Sequence, residues 1–285
     1  MEDHRSGVLI AAHDLAAQRE GRAPIVILDI RDELKAAPSE RQFIPDSIAA
    51  YLDADFSGAP SAAFGKRPLP EIAVFEARVR QWGINPDSLV IVYDDNAGAQ
   101  ASRAWWTFRW AGFSSVRILD GGLRAWRDAG FPVTGNPAKP GRMGTAELRA
   151  GQMPTLDADT AAALARQSRL LDARGRAAYV GSLAETGRPS TGHIPGASCA
   201  PSGEGIGPDG RFKSTEELRA YFHRLGADDR AQFGLYCGSG NAAAHLMVAA
   251  HIAGLKPSLY VGSWSAWSAD PNRPIACGPE PGVLV

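Results

Sequence analysis

The sequence is poor in cysteine and has no excess of charge of either sign. Its three cysteines, Cys199, Cys237 and Cys277, form no Cys-x-x-Cys pair and have no histidine at metal-ligand spacing. A disulfide scaffold and a zinc site are therefore not expected. Lysine and arginine total 30 against 31 aspartates and glutamates, which gives a formal net charge of -1. This balance offers no global reason for binding to nucleic acid or to an anionic membrane.

Long apolar runs are also missing. The stretch from Met1 to Gln18 has charged residues and histidines around few apolar ones, unlike the apolar core of a signal peptide. Residues 231–255 lack Asp, Glu, Lys and Arg, but they contain four glycines and two histidines. We interpret them as a buried strand, turn and helix rather than a membrane span. With 45% hydrophobic and 21% charged residues, the composition predicts a globular protein, and we expect it to be cytoplasmic.

The chain contains an internal repeat. Leu89–Trp126 and Phe233–Trp267 both run from an apolar strand through a small-residue turn, a helix and a second strand to a glycine turn and a tryptophan. Upstream of these segments, Asp29 and Asp172 repeat at nearly the same offset, close to 143 residues. A period of this length is that of a domain and not that of a solenoid unit. The sequence therefore predicts two tandem copies of one fold.

Both copies have the pattern of an α/β fold. Short apolar strands alternate with helices, which predicts a parallel sheet with helices on both faces. The predicted N-terminal domain covers residues 8–135, a Pro- and Gly-rich linker covers 136–154, and the C-terminal domain covers 155–278. Because such sheets bind ligands beyond the carboxyl ends of their strands, the loops after Tyr93 and Tyr236 are the expected place for a site.

Several elements around these loops can be placed from the sequence. Ser214 and Glu217 have capping-box spacing at the start of a predicted helix. The strands predicted before the two loops are 89–94 and 232–236, the helices after them are 100–111 and 241–253, and the helix that Ser214 begins is 214–225.

The loop after Tyr236 reads Cys237-Gly-Ser-Gly-Asn-Ala-Ala and leads into a helix. Its two glycines let successive backbone N–H groups turn inward, which forms an anion-binding nest at a positive helix end. A cysteine at that position is expected to act as a thiolate nucleophile, and the alternative is a buried structural cysteine. A cysteine phosphatase is excluded, because it needs an arginine where this chain has Ala243.

Motifs from both copies resemble those of the two-domain rhodanese family of sulfurtransferases, which act on thiosulfate or 3-mercaptopyruvate. The motifs are YDDNAGAQASRAWW (93–106), DGGLRAW (120–126), LLDAR (170–174), TGHIPGA (191–197), YCGSG (236–240) and YVGSWSAW (260–267). The resemblance spans about residues 8 to 275. It implies two rhodanese-like domains, of which only the second is catalytic. The first copy accordingly has Asp94 and Asp95 in the equivalent loop and contains no cysteine.

The resemblance also implies a mechanism. Cys237 would take a sulfane sulfur from a donor, become a persulfide and pass the sulfur to cyanide or a thiol, and no cofactor would be needed. The expected partners are these small molecules, with neither nucleic acid nor a membrane. The alternative is a non-catalytic rhodanese-type binding module. This alternative would be favoured by Ala178, which stands where the family's mercaptopyruvate type has an arginine.

The cysteine loop favours 3-mercaptopyruvate over thiosulfate as donor, because it resembles the CGSGVTA loop of the mercaptopyruvate type and lacks basic residues. That type has two arginines for the substrate carboxylate. Ala178 takes the first position, Arg176 lies two residues upstream, and Arg188 matches the second. Trp264 follows a strand at the same sheet edge. The predicted nucleophile is Cys237, and the predicted substrate-binding residues are Arg188, Gly238, Ser239, Gly240, Asn241, Ala242 and Ala243, with Arg176 and Trp264 as further candidates.

Overall fold

The computed structural model describes residues 4–21, 24–32, 42–181 and 191–282. These residues form two compact units. The first unit holds the described residues of Met1–Gly58, Leu69–Met153 and Pro208–Phe212. The second unit holds those of Ala59–Pro68, Pro154–Gly207 and Lys213–Val285. Among the described residues, no helix is long and apolar enough to cross a membrane.

The described part of the first unit contains one parallel sheet of five strands. The strands are β1 (Leu9–Ile10), β2 (Ile25–Arg31), β3 (Ile48–Tyr51), β4 (Leu89–Tyr93) and β5 (Val116–Leu119). The helices are α1 (Ala12–Arg19), α2 (Leu52–Asp55), α3 (Ile72–Gln81), α4 (Ala99–Trp110) and α5 (Gly122–Asp128). The strand order is β1-β5-β4-β2-β3, which places β4 at the centre.

Strand β4 is apolar along its whole length because both of its faces are covered. Ile91 and Tyr93 share a core cluster with Leu15 of α1 and with Trp126 of α5. The alternate residues, such as Val92, point to the opposite face and are fully buried there. A continuous apolar strand is therefore the signature of this central position, as expected for a parallel sheet.

The described part of the second unit repeats this architecture. Its strands are β6 (Thr155–Leu156), β7 (Leu170–Asp172), β8 (Ser198–Cys199), β9 (Gly234–Tyr236) and β10 (Ser258–Tyr260). Its helices are α6 (Ala158–Arg166), α7 (Arg176–Val180), α8 (Thr215–Arg224), α9 (Asn241–Ile252) and α10 (Ser263–Trp267), with a 3₁₀ helix at Ser202–Gly205. The parallel order β6-β10-β9-β7-β8 corresponds strand for strand to that of the first unit.

The two units also share their internal hydrogen bonds. The Tyr93 hydroxyl accepts the Ile44 N–H at 3.0 Å, and the Tyr236 hydroxyl accepts the Ile194 N–H at 3.0 Å. The tryptophans at equivalent positions of α5 and α10 make the same contact: the indole N–H groups of Trp126 and Trp267 donate to proline carbonyls at 2.8 Å. The predicted α/β fold with two tandem copies is confirmed by this correspondence.

Two short segments pack differently from what the predicted domain boundaries suggest. Residues 59–68, which the sequence places in the first domain, belong to the second unit, where the Lys66 N–H donates to Ser265 Oγ at 3.0 Å. Residues 208–212 belong to the first unit, where the Phe212 N–H donates to Asp120 Oδ1 at 3.0 Å. Neither segment carries a strand or helix pattern, so its packing partner is not readable from the sequence.

The predicted linker, residues 136–154, contains no helix or strand, in keeping with its glycines and prolines. It nevertheless packs on the first unit. The Ala146 N–H donates to the Ile84 carbonyl at 3.1 Å, and the Gln152 N–H donates to the Trp110 carbonyl at 2.9 Å. Backbone hydrogen bonds therefore hold a segment that has no regular structure of its own.

Asp94 closes the turn between β4 and α4 in the first unit. Its fully buried carboxylate accepts four backbone N–H groups at 2.8 to 2.9 Å, those of Asn96, Gly98, Gln100 and Ala101. Burial raises the pKa of the Asp94 carboxyl, and the four hydrogen bonds oppose that rise. The unpaired amides at the start of α4 are thus satisfied by an anion built into the chain.

Replacing Asp94 by asparagine should destabilise the first unit. The new amide group has the shape of the carboxylate, but its NH₂ cannot accept the backbone N–H groups that it would face. We expect the free energy of unfolding, measured by urea denaturation, to fall by about 2 kcal/mol, because buried N–H donors are left unpaired. Hydrogen exchange at the amides of Gln100 and Ala101 should become faster.

The control is Asp95→Asn. The Asp95 side chain is 59% exposed and pairs with Arg31 Nη1 at 2.9 Å, so its loss should cost less than about 1 kcal/mol. Equal effects of the two substitutions would mean that the buried amide contacts contribute nothing specific.

Candidate active site

Cys237 follows the central strand β9 of the second sheet, and both its N–H and its carbonyl are hydrogen-bonded to the turn at Ser263 and Trp264. Its N–H donates to Ser263 Oγ at 3.2 Å, and its carbonyl accepts the Trp264 N–H at 2.8 Å. The next residue is tied to the same turn, since the Gly238 carbonyl accepts the Ser265 N–H at 3.0 Å. The cysteine backbone is therefore fixed at the carboxyl end of the sheet, where parallel sheets bind ligands.

Gly240 turns the chain from the cysteine into helix α9. It is the N-cap residue, with φ of 93° and ψ of -13°, a left-handed conformation that glycine adopts without strain. This geometry aims the Gly240 N–H at Cys237 Sγ, at a distance of 3.0 Å. A backbone donor and a helix N-terminus thus meet at the sulfur, an arrangement that stabilises negative charge.

The corresponding turn of the first unit shows what this arrangement of amides binds. Gly98, the N-cap residue of α4, is also left-handed, with φ of 84°, and its N–H donates to the Asp94 carboxylate. The amides two and three positions after Gly98 donate to the same carboxylate. By position in the helix, the equivalent amides after Gly240 are those of Ala242 and Ala243. One copy therefore binds a carboxylate with four amides, whereas in the other copy the Gly240 N–H reaches a cysteine sulfur.

Ser263 occupies a strained position that corresponds to a glycine in the first unit. Its φ is 53°, and the equivalent Gly122 has φ of 57°. The Ser263 hydroxyl donates to the Tyr260 carbonyl at 2.9 Å and accepts the Cys237 N–H. A serine is thus kept where glycine would be the easier residue, and its hydroxyl orients the cysteine backbone.

A cavity of about 560 Å³ in the second unit begins at the two residues after Cys237. Its walls come from the cysteine loop, the 264–268 turn and the 59–68 segment. The lining residues are Pro60, Ser61, Gly65, Lys66, Gly238, Ser239, Trp264, Ser265 and Ser268. Cys237 itself is only 2% exposed and is not among the lining residues. The cavity therefore adjoins the cysteine loop through Gly238 and Ser239.

Arg174 contacts Trp264, one of the residues that line this cavity. Its Nε donates to Asp172 Oδ1 at 2.9 Å, and its guanidinium stacks 4.7 Å above the centre of the Trp264 ring. Burial lowers the pKa of Arg174, but the hydrogen bonds and charge of Asp172 outweigh burial and raise the pKa overall. Arg174 therefore stays charged and orients Trp264 by a cation–π contact.

The other predicted site residues are distributed around the nest. Asn241 and Ala242 are half-buried in the first turn of α9, and Ala243 beside them is buried. Arg176 is exposed at the start of α7 and does not line the cavity. Arg188 lies outside the described residues. Within the described ranges, no three His, Cys, Asp or Glu side chains gather where a metal ion could bind.

Sequence reasoning missed the 59–68 side of the cavity and the role of Ser263. Lys66 and Ser61 belong to no motif, and nothing in their own pattern connects them to a loop more than 170 residues away in the sequence. Ser263 did carry a signal. In the register of the internal repeat it stands opposite Gly122, so a special backbone conformation was recoverable at that position.

The model for the rhodanese-like domain matches residues 11–129 and 157–270. The chain belongs to the rhodanese family. The putative thiosulfate sulfurtransferase SseB of Mycobacterium tuberculosis is 38% identical over 283 residues, which are 96% of this chain and 98% of that protein. The probable 3-mercaptopyruvate sulfurtransferase of Pseudomonas aeruginosa is 39% identical over 285 residues, covering 96% and 99%. The predicted family and enzyme class, a sulfurtransferase, are confirmed.

Solved structures share the rhodanese architecture over most of this chain. The crystal structure of YnjE has a TM-score of 0.79 at 24% identity and covers 96% of this chain and 69% of its own. A structure of EanB with a cysteine persulfide has a TM-score of 0.82 at 20% identity and covers 98% and 72%. At these identities the likeness shows the fold.

The two loop glycines should respond differently to substitution by alanine. At Gly240 a side chain must adopt a left-handed conformation, so Gly240→Ala should cost about 1 to 2 kcal/mol and lower the Tm. Gly238 has no positive φ, and a Cβ atom there would meet no heavy atom within 4 Å. Gly238→Ala should therefore leave the Tm unchanged. A larger drop in Tm for Gly238→Ala would contradict this geometry.

Proposed function

We propose that this rhodanese-family protein transfers sulfane sulfur from a small-molecule donor to cyanide or a thiol through a persulfide on Cys237. The observation that carries the proposal is the hydrogen bond from the Gly240 N–H to Cys237 Sγ at 3.0 Å, at the start of α9. A cysteine placed against backbone donors at a helix N-terminus is a prepared nucleophile. The protein's own sulfur is the carrier, so the proposed reaction needs no cofactor.

In the first half-reaction the Cys237 thiolate attacks the outer sulfur of the donor. With thiosulfate, a new S–S bond forms to Cys237, the S–S bond of the donor breaks, and its electron pair leaves with sulfite. With 3-mercaptopyruvate, the C–S bond breaks and its electron pair goes to carbon, which takes up the proton of the transferred sulfhydryl to give pyruvate. Either donor leaves the same persulfide anion on the enzyme.

In the second half-reaction the acceptor attacks the outer sulfur of the persulfide. Cyanide forms a C–S bond and leaves as thiocyanate, while the S–S bond breaks and returns its electron pair to Cys237. With a thiolate acceptor, the sulfur leaves as the acceptor's persulfide. The enzyme thiolate is regenerated in both cases, so the cycle has no net oxidation or reduction of the protein.

Asp94 of the first unit supports the proposed persulfide, because an aspartate side chain has the same arrangement of heavy atoms as a cysteine persulfide. An aspartate carries its charged oxygens one heavy atom beyond the atom attached to Cβ, and a cysteine persulfide carries its terminal sulfur at the same place. In the first unit, four amides surround that position and hold the carboxylate. The Gly240, Ala242 and Ala243 amides are the equivalent donors for a terminal sulfur on Cys237. For the same reason we propose that the first copy, whose nest Asp94 fills, is non-catalytic.

We propose 3-mercaptopyruvate as the preferred donor. The loop from Gly238 to Ala243 has no charged side chain, so it suits a monoanion whose carboxylate is bound elsewhere. Arg188 is the proposed carboxylate ligand, since a guanidinium binds a carboxylate with two parallel hydrogen bonds. Arg176, exposed at the start of α7, is the substitute candidate.

Cys237→Ser should abolish sulfur transfer. A serine hydroxyl at neutral pH supplies far less anionic nucleophile than a thiol does. The measurements are thiocyanate release from cyanide and intact mass after donor treatment, with the wild-type protein gaining one sulfur and the variant none.

Cys199→Ser and Cys277→Ser are the matched controls. Both cysteines are half-buried and lie outside the cavity, so these variants should retain most of the activity and the added sulfur. A Cys237→Ser protein that turned over at near the wild-type rate would disprove the persulfide mechanism.

Steady-state kinetics with both donors should show a higher kcat/KM for 3-mercaptopyruvate than for thiosulfate. Arg188→Ala should lower kcat/KM for 3-mercaptopyruvate, because a desolvated carboxylate loses its charged partner. The loss should correspond to about 2 kcal/mol or more of transition-state binding free energy. A clear preference for thiosulfate would overturn the donor assignment and leave the persulfide standing. An unchanged kcat/KM in Arg188→Ala would point to Arg176.

A further inference from the structure

Among the described residues, one charged side chain lines the cavity next to Cys237. It belongs to none of the motifs found in the sequence. Of the described residues that line the cavity, Lys66 alone is charged. Arg174 is committed to Asp172 and to the Gly192 carbonyl, where its Nη2 donates at 2.5 Å. The cationic character of this cavity therefore depends on the 59–68 segment.

Backbone contacts hold this segment on the turn that also holds the cysteine. Ser61 and Gly65 exchange two backbone hydrogen bonds, at 2.8 and 3.1 Å, and form a tight loop. Gly65 is buried with φ of 81°, and a Cβ atom there would lie 2.5 Å from the Gly262 carbonyl oxygen. Ser265 then joins both sides: its Oγ accepts the Lys66 N–H, and its N–H donates to the Gly238 carbonyl. Lys66 thus has a fixed backbone position opposite the cysteine loop.

The Lys66 side chain is exposed and available to a ligand. Within the described ranges, no carboxylate forms an ion pair with it. The neighbouring hydroxyls are less available, because Ser265 Oγ donates to the Gly262 carbonyl and Ser268 Oγ donates to the Trp264 carbonyl. Ser61 Oγ accepts the Phe64 N–H at 3.1 Å, which leaves its own O–H able to donate. Lys66, Ser61 and Ser239 are therefore the polar side chains in the cavity wall that can meet an anion.

We infer that Lys66 contributes positive charge to the binding of the donor's oxyanion group, in addition to the proposed carboxylate ligand Arg188, and sets the selectivity between donors of charge -2 and -1. This inference rests on the proposed function, because the cavity has to deliver the donor to Cys237. The shared chemistry is a sulfonate or carboxylate group on a donor with a transferable sulfur. The lysine supplies the positive charge that the cysteine loop lacks.

Charge determines which donor depends more on Lys66. Coulomb energy scales with the product of the charges, so thiosulfate gains twice as much from the ammonium as the monoanion 3-mercaptopyruvate does. The fold loss in kcat/KM on removing the lysine charge should therefore be, for thiosulfate, the square of the fold loss for 3-mercaptopyruvate. For an exposed lysine and a charged hydrogen bond we expect about tenfold and about threefold losses, respectively.

The test compares Lys66→Gln with Lys66→Arg for both donors. Lys66→Gln should lower kcat/KM about tenfold for thiosulfate and about threefold for 3-mercaptopyruvate. It should also flatten the decrease of the thiosulfate value with rising ionic strength, which a purely structural role would not affect. Lys66→Arg keeps the charge and should recover the thiosulfate value to within about twofold. Because the Lys66 backbone N–H makes the contact to Ser265, the substitution leaves that anchor in place.

Lys256→Gln is the control, since this exposed lysine of the second unit does not line the cavity. It should leave both donors and the salt dependence unchanged. Equal losses for the two donors, an unchanged Lys66→Gln protein or a wild-type protein that accepts only 3-mercaptopyruvate would each overturn the inference. If wild-type protein gains no sulfur on Cys237 from either donor, the proposed function itself fails, which the intact mass reveals separately.

Discussion

The unpaired backbone amides where a central strand turns into its helix are the constraint on which both units depend. The first N–H groups of a helix have no partner within the helix itself, so those that are buried need an acceptor elsewhere in the protein. The first unit meets this requirement with Asp94, whose carboxylate takes four amides. The second unit meets it with the sulfur of Cys237, which takes the Gly240 N–H. The same architecture thus holds a permanent structural anion in one copy and, in the proposed function, the reactive sulfur in the other.

Much of the fold was predictable because buried parallel strands have a simple pattern. The strands predicted over 89–94 and 232–236 appear as β4 and β9, and the helix predicted over 214–225 begins at the Ser214 capping box as α8. These elements are determined locally, by apolar runs and by a side chain that caps its own helix. The tandem organisation was predictable for the same reason, since the pattern occurs twice.

The cysteine side of the candidate site was also predictable, because glycine spacing and a strand end define a nest within a few residues. The opposite side was not. Lys66 and Ser265 are 199 residues apart, and their contact depends on a backbone hydrogen bond that any residue type could make. Asp94 shows a similar limit. Two adjacent aspartates in a loop have no distinctive pattern in the sequence, and only the turn geometry shows that one of them is enclosed by amides.

Separating the lysine from the cysteine loop has a chemical consequence. In the proposed mechanism the amides of the loop bind the sulfur, which stays on the enzyme between the half-reactions, whereas Lys66 binds the charged group of the donor, which has to leave. A lysine within the loop would face the persulfide as well as the donor, so donor binding and persulfide stabilisation would depend on the same charge. Lys66 is exposed, so its attraction for an anion is weakened by water and by salt. A binding charge of this strength can select a donor and still release sulfite or pyruvate once the sulfur has been transferred.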